Sequence, residues 1–148
     1  METVNKWMRY MDQVSVALAQ ELERYGAGGL SGTQLLFVVR VCEMPGCPQE
    51  RLAARMGVDG STVTRRVREL ERLGYVERRR DPSDARRLLV NPTDRAFEVL
   101  PAAVELLGDV QAALTRGMSR EEIELLDELM ERTARNAARM QASRREEE

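Results

Sequence analysis

The chain has 148 residues, 43% apolar and 32% charged, which describes one helix-rich globular domain with a real core rather than a disordered polymer. It has no histidine and only two cysteines, Cys42 and Cys47, so a Cys/His zinc site within one chain and a Ser–His or Cys–His catalytic pair are both excluded. The net charge of −2 hides an asymmetry: residues 47–91 hold eleven arginines against seven acids, while the remainder holds twelve basic residues against eighteen acidic ones.

No apolar run approaches the roughly 18 residues that would cross a bilayer. The N-terminal stretch METVNKWMRYMDQ carries charges where a signal peptide would need an apolar centre. A cytoplasmic protein without membrane contact is therefore expected. Residues 3–25 read as a long amphipathic helix, with Trp7, Met11, Val14, Leu18 and Leu22 at three- and four-residue steps. The Gly26-Ala27-Gly28-Gly29 stretch ends it. Ser31 with Gln34 forms a capping box that starts a second helix. The apolar residues of that helix (Leu35, Leu36, Val38, Val39, Val41 and Cys42) cover more than one face, so it belongs in the interior.

Pro45-Gly46 breaks the chain, and PQERLAARMG is a short third helix with Leu52, Ala53 and Met56 inward. Gly57-Val58 makes a turn, Asp59 caps a fourth helix and Gly74 marks its end. Two such helices joined by a tight, Gly-containing turn fit a helix-turn-helix. On the fourth helix Val63, Val67, Leu70 and, less centrally, Leu73 share one face at about 100° per residue. Ser61, Arg65, Arg68 and Arg72 lie opposite, with Thr62 and Thr64 on the flanks and Arg66 nearer the buried side. Small hydroxyls at the N-terminal end followed by arginines suit a helix that meets base edges and phosphate.

Tyr75–Arg80 reads as a strand, Asp81-Pro82-Ser83-Asp84 as a turn, and Arg87–Val90 as the returning strand. Such a hairpin with arginines at its tip and stems is a wing; Arg78, Arg79 and Arg80 alternate sides, so only some of them face phosphate. Thr93 is placed to cap a fifth helix running to about Arg116 and bent at Pro101. After Gly117, Ser119 and Glu122 form a second capping box, with Met118 and Ile123 as a hydrophobic staple. The last helix carries Ile123, Leu126, Met130, Thr133, Ala137 and Met140, with a charged tail expected to fray after Ser143. Long terminal helices with this much apolar surface call for a partner, and a two-fold homodimer is the natural one.

The stretch PGCPQERLAARMGVDGSTVTRRVRELERLGYVERRRDPSDARRLLVNPTDRA resembles the MarR family of winged-helix transcription regulators, and the helix order on either side fits over essentially the full length. The most specific pieces are QERLA, STVTRRVRELERLGYVER and DPSDARR followed by VNPT. The resemblance implies a mainly α fold with a small β-hairpin wing. It also implies one MarR-like domain over 1–148, with a DNA-binding lobe at 31–91 and dimerisation helices at 1–30 and 92–148. In such a triangular dimer each recognition helix enters a major groove and each wing an adjacent minor groove of a pseudo-palindromic operator. The family's Asp-x-Arg wing element maps onto Asp84-Ala85-Arg86, the arginine entering the minor groove and the aspartate steadying it. Pro48, Pro92 and Ala96 depart from the family's usual Ser or Thr cap, leucine and glycine.

The expected DNA-binding residues are thus Ser61, Thr62, Thr64, Arg65, Arg68, Arg79, Asp84 and Arg86 on double-stranded DNA. The resemblance also implies a small aromatic or lipophilic effector that releases a repressor; Trp7, Tyr10, Met11 and Met44 are candidates to line its pocket, although such residues are more often simply core. Cys47 sits by a helix N-terminus that favours thiolate and is the candidate redox residue, although a free cysteine is more often buried and inert. No cofactor or metal is expected. The acids lie on helix faces at ordinary spacing, so an enzyme is not expected. The alternative is a winged-helix protein-interaction or thiol-redox sensor module.

Overall fold

The structure, a computed structural model, describes residues 2–146. The first helix, α1 (Glu2–Arg24), runs into a two-residue-per-strand hairpin, β1 (Gly26–Ala27) and β2 (Leu30–Ser31), closed by Gly28 and Gly29 at φ 60° and 78°. Consecutive positive φ values are the signature of the tight turn that joins twisted strands, and two glycines meet it without strain. Where the glycine run reads as a helix stop, the structure builds a hairpin as well.

Helix α2 (Gly32–Glu43) starts at Ser31 with both halves of the expected capping box: Gln34 N–H donates to Ser31 Oγ at 3.2 Å and Ser31 N–H to Gln34 Oε1 at 2.9 Å. A Cβ built on Gly32 would lie 2.4 Å from the Leu22 carbonyl oxygen, so only glycine lets α1 pass this closely. Strand β3 (Cys47–Pro48), helix α3 (Gln49–Met56), helix α4 (Gly60–Arg72), and strands β4 (Val76–Arg80) and β5 (Leu88–Pro92) follow. The sheet order is β3-β5-β4, all antiparallel, with Cys47 opposite Val90 and Arg78 also opposite Val90 on the other side. The returning strand therefore begins one residue later than expected and extends to Pro92, and the short β3 was not legible as a strand.

The expected fifth helix is divided. Helix α5 (Asp94–Glu98) stops at Val99, and α6 (Leu100–Leu114) begins at the next residue. Pro101 thus lies in the first turn of a new helix, where its missing N–H costs little, instead of bending a continuous one. Thr93 occupies the N-cap position of α5 without a side-chain cap; its hydroxyl donates to the Gly74 carbonyl at 2.6 Å.

Contacts divide the chain into two compact units, Met1–Val110 and Gln111–Glu148. The core lies in the first. Leu35, Phe37, Val38 and Val41 of α2 meet Leu52 of α3, Val63, Val67 and Leu70 of α4, Tyr75 just before the sheet, Val76 and Val90 within it, and Ala96, Ala103 and Leu106 beyond it. Each fully buried Val, Leu or Phe contributes about 1.5–3 kcal/mol relative to exposure, and α2 supplies the largest share by sitting between the other elements. Ala96 is fully buried, so the departure from glycine there fills core volume.

In the second unit α7 (Arg120–Glu146) begins at the expected capping box, Ser119 N–H to Glu122 at 2.7 Å and Glu122 N–H to Ser119 Oγ at 3.1 Å. It continues past Ser143 to Glu146, beyond the point where fraying was expected, carried by good helix formers and ion pairs such as Arg135–Glu131. No helix among the described residues is long and apolar enough to cross a membrane.

Candidate nucleic-acid interface

The helix-turn-helix is closed at the turn by Gly57 and opened again by Asp59. Asp59 accepts hydrogen bonds from the Thr62 backbone N–H at 2.7 Å, the Ser61 hydroxyl at 2.6 Å and the Thr62 hydroxyl at 3.0 Å. The Ser61 hydroxyl first, then the Thr62 amide, hold its carboxyl down at about 2. Two of the hydroxyls expected on the DNA face are therefore engaged with the cap, though both remain at the open N-terminal end of α4. Thr64 is turned further inward. Its hydroxyl donates to the Gly60 carbonyl at 2.9 Å and accepts from Gln49 Nε2 at 2.7 Å.

Arg65 and Arg68 are exposed, and neither side chain bonds to any other described residue. Val63, Val67 and Leu70 are fully buried on the opposite face, and Arg66 is half-buried, so the angular layout expected for α4 holds. An apolar face this complete decides which side of the helix is buried and leaves the arginines on the outer side.

The three arginines of β4 separate by role. Arg78 is half-buried and bound to Glu71, at the end of α4. Arg79 is 70% exposed and paired with Glu77 at 2.6 Å. Arg80 donates to the Ala85 carbonyl at 2.6 Å, across the wing tip.

At the tip Asp81 accepts from the Ser83 hydroxyl at 2.6 Å and amide at 2.8 Å, which lowers its pKa. Asp84 and Arg86 do come together, but through the backbone: Arg86 N–H donates to Asp84 Oδ1 at 3.0 Å. The aspartate steadies the turn that carries the arginine, leaving the guanidinium exposed and unpartnered among the described residues. Arg87, next to it, faces the other way. It bonds Glu50 of α3 at 2.9 Å and approaches Asp81 at 3.8 Å, tying the wing to the helix-turn-helix. Nothing in the local sequence spacing signals the Glu50–Arg87 or Glu71–Arg78 links, because each joins a helix residue to one on the wing.

The other candidates lie elsewhere. Trp7, Tyr10 and Met11 are about half exposed on α1, and Met44 is half-buried at the end of α2. The apolar concavity nearest to a ligand pocket is a groove of ≈ 250 Å³ between α2 and α6, lined by Val39, Cys42, Phe97, Leu100, Val104 and Leu107 among others. Cys47 is buried, with its thiol donating to the Pro48 carbonyl at 3.4 Å. Burial pushes that thiol up despite the neighbouring Arg51, the opposite of the thiolate-favouring effect expected at a helix start, and burial raises Cys42 as well.

A helix-turn-helix followed by a β-hairpin wing, flanked in the chain by long helices, matches known proteins. The family model described as MarR family matches residues 28–87. Over 132 residues the chain is 30% identical to the uncharacterized HTH-type transcriptional regulator YybA of Bacillus subtilis (strain 168), covering 88% of this chain and 83% of that one. The chain belongs to the MarR family. A crystal structure of MarR superposes with a TM-score of 0.84 at 27% identity, covering 92% of this chain and 93% of the other. A MarR-family regulator from Listeria monocytogenes, complexed with a 26mer DNA, shares the fold with a TM-score of 0.78 at 23% identity, covering 88% of each chain. This MarR-family chain is a DNA-binding transcriptional regulator of the winged helix-turn-helix type, and its relatives are regulators rather than enzymes.

Proposed function

We propose that this MarR-family protein binds a pseudo-palindromic operator as a homodimer, represses transcription from it, and is released by a small aromatic or lipophilic effector. The observation that carries the DNA reading is the set of exposed guanidiniums at Arg65, Arg68 and Arg86, unpaired among the described residues, on the helix and the wing tip, beside arginines that are already bonded within the protein. Ser61, Thr62 and Arg79 complete the face, with Asp84 setting the backbone under Arg86. The Listeria neighbour, which shares the fold, was crystallised on DNA.

The division into a DNA-binding lobe at 31–91 and dimerisation helices at 1–30 and 92–148 rests on what is left uncovered. In α1, Trp7, Met8, Tyr10, Met11, Val14 and Val16 are all about half exposed; in α7, Leu125, Leu129, Met130 and Met140 are too. Apolar stripes of this length on both terminal helices are what a second copy would bury. The effector reading rests on the same aromatic and methionine residues of α1 and on Met44, with the α2/α6 groove as one apolar concavity.

The test is selection of bound duplexes from random DNA by the full-length protein, followed by mass measurement of the free and bound species. Enrichment of an inverted repeat bound by two chains supports the proposal. Enrichment of nothing, or binding that ignores sequence, refutes it. Derepression by an aromatic carboxylate or lipophilic probe, read as loss of the shifted species, tests the effector.

A further inference from the structure

The helix-turn-helix contains one polar side chain that neither the basic face nor the core accounts for. Gln49 opens α3, at the end of that helix far from the turn. Its Nε2 donates to Thr64 Oγ1 at 2.7 Å, and the Thr64 hydroxyl gives its own proton to the Gly60 carbonyl. Among the described residues this is the only side-chain hydrogen bond that joins α3 to α4. The other atom of the same amide, Gln49 Oε1, is buried with no hydrogen-bond partner, alone in this among the described side chains. Exchanging the two atoms would strand two amide protons in place of one oxygen, so the orientation is fixed by its surroundings.

An orphaned buried acceptor costs at least as much as one neutral hydrogen bond returns. For stability alone, a methionine would fill the same space without the orphan. What Gln49 provides is directional. Threonine in a helix divides between two rotamers because its hydroxyl can reach the carbonyl one turn back; the bond from Gln49 selects one of them. It also fixes how far α4 is rolled about its own axis relative to α3, a freedom that apolar contacts between Leu52, Ala53, Val63 and Val67 restrain less sharply. Thr64 stands beside Arg65, one turn after Ser61 and one turn before Arg68, so that roll decides where the arginines point.

We infer that Gln49 is a specificity-setting positioning residue, which acts through Thr64 to hold α4 in the single register that places Arg65 and Arg68 against their bases. The inference rests on the DNA reading above. Gln49 serves discrimination at some expense of stability.

The experiment compares wild type, Gln49→Met and the double variant Gln49→Met/Thr64→Val, each full length. Binding is measured to a selected operator duplex and to a scrambled duplex at one salt concentration, with the salt dependence and the melting temperature recorded. Gln49→Met should lower the operator-to-scrambled affinity ratio about tenfold, or ~1.4 kcal/mol, by weakening operator binding alone. The scrambled affinity and the salt dependence should stay as in wild type, and the melting temperature should equal or exceed it. The double variant should discriminate no worse than Gln49→Met, because both changes break one path. An unchanged ratio overturns the inference. So does a ratio that falls together with the scrambled affinity or with a melting temperature lowered by several degrees, since Gln49 would then be merely structural. A wild type that does not prefer the operator removes the DNA reading itself, and is told apart from these outcomes before any variant is made.

Discussion

Arg78 and Glu71 hold each other across the junction between α4 and the wing. The guanidinium donates to Glu71 Oε2 through Nη2 at 2.7 Å and Nε at 3.1 Å, while the Arg78 backbone N–H reaches Oε1 at 3.2 Å. The hydrogen bonds from Arg78 hold the Glu71 carboxyl below its ordinary range. Both side chains are partly wet, which keeps the contribution modest. Glu71→Gln and Arg78→Ala should each lower the unfolding free energy by about 1 kcal/mol in urea titrations, and the double variant should lose less than their sum. Strict additivity would show that the pair is incidental to the junction.

The arginines of the wing should not be equivalent. Arg86→Ala should weaken operator binding by about 1–3 kcal/mol, because its guanidinium has no competing partner and suits a narrow minor groove. Arg79→Ala should cost clearly less, since Glu77 already neutralises that charge. Titrations by fluorescence anisotropy would show it, and equal losses at the two positions would reverse the assignment.

On the helix, Arg65→Ala should lower discrimination between operator and mismatched sites by about 1–3 kcal/mol if the side chain meets a base edge. Competition binding with single-base variants would locate the position. A uniform loss over all sequences would make it a phosphate contact instead.

Gly32→Ala tests the close approach of α1 to α2. The added methyl would meet backbone atoms of Leu22 at 2.4 and 2.9 Å, which cannot rotate away. A destabilisation of about 1–3 kcal/mol is expected by thermal or urea unfolding. A neutral effect would mean that α1 shifts freely on α2.

Acid should act through Asp59. Its folded pKa of about 2 lies below the ordinary 3.8, so the carboxylate stabilises the fold fully above pH 3.8 and loses that contribution as pH falls from there to about 2. Asp81 is shifted in the same direction by Ser83. Asp59→Asn should flatten the stability profile in that window relative to wild type. An unaltered profile would place the acid sensitivity elsewhere.

Much of this was legible in the residues. Periodicity located the helices, the two Ser-x-x-Gln/Glu boxes fixed where α2 and α7 begin, and the apolar face Val63–Val67–Leu70 gave the buried side of α4. Three features were not legible, each for a physical reason. Two-residue strands such as β3 carry no periodicity. The break at Val99 lies two residues before Pro101, where the residue sequence carries no separate stop signal. The hydroxyls of Ser61, Thr62 and Thr64 read as free because helical geometry gives their direction but not their partners, and those partners, Asp59, Gly60 and Gln49, take up bonding capacity that a base would otherwise use.

The ion pairs at Arg78, Arg79 and Arg87 have a bearing on how steeply salt should act. Cations condensed on DNA are released in proportion to the phosphate charge that basic side chains neutralise, and these three arrive with their own charge already balanced by Glu71, Glu77 and Glu50. Of the eleven arginines in residues 47–91, eight remain outside such pairs. With roughly 0.9 ion released per phosphate neutralised, the slope of log affinity against log salt contributed by this segment is capped at about −7 per chain. Three arginines are thus engaged inside the protein, which meets DNA with a gentler salt response than its arginine content suggests.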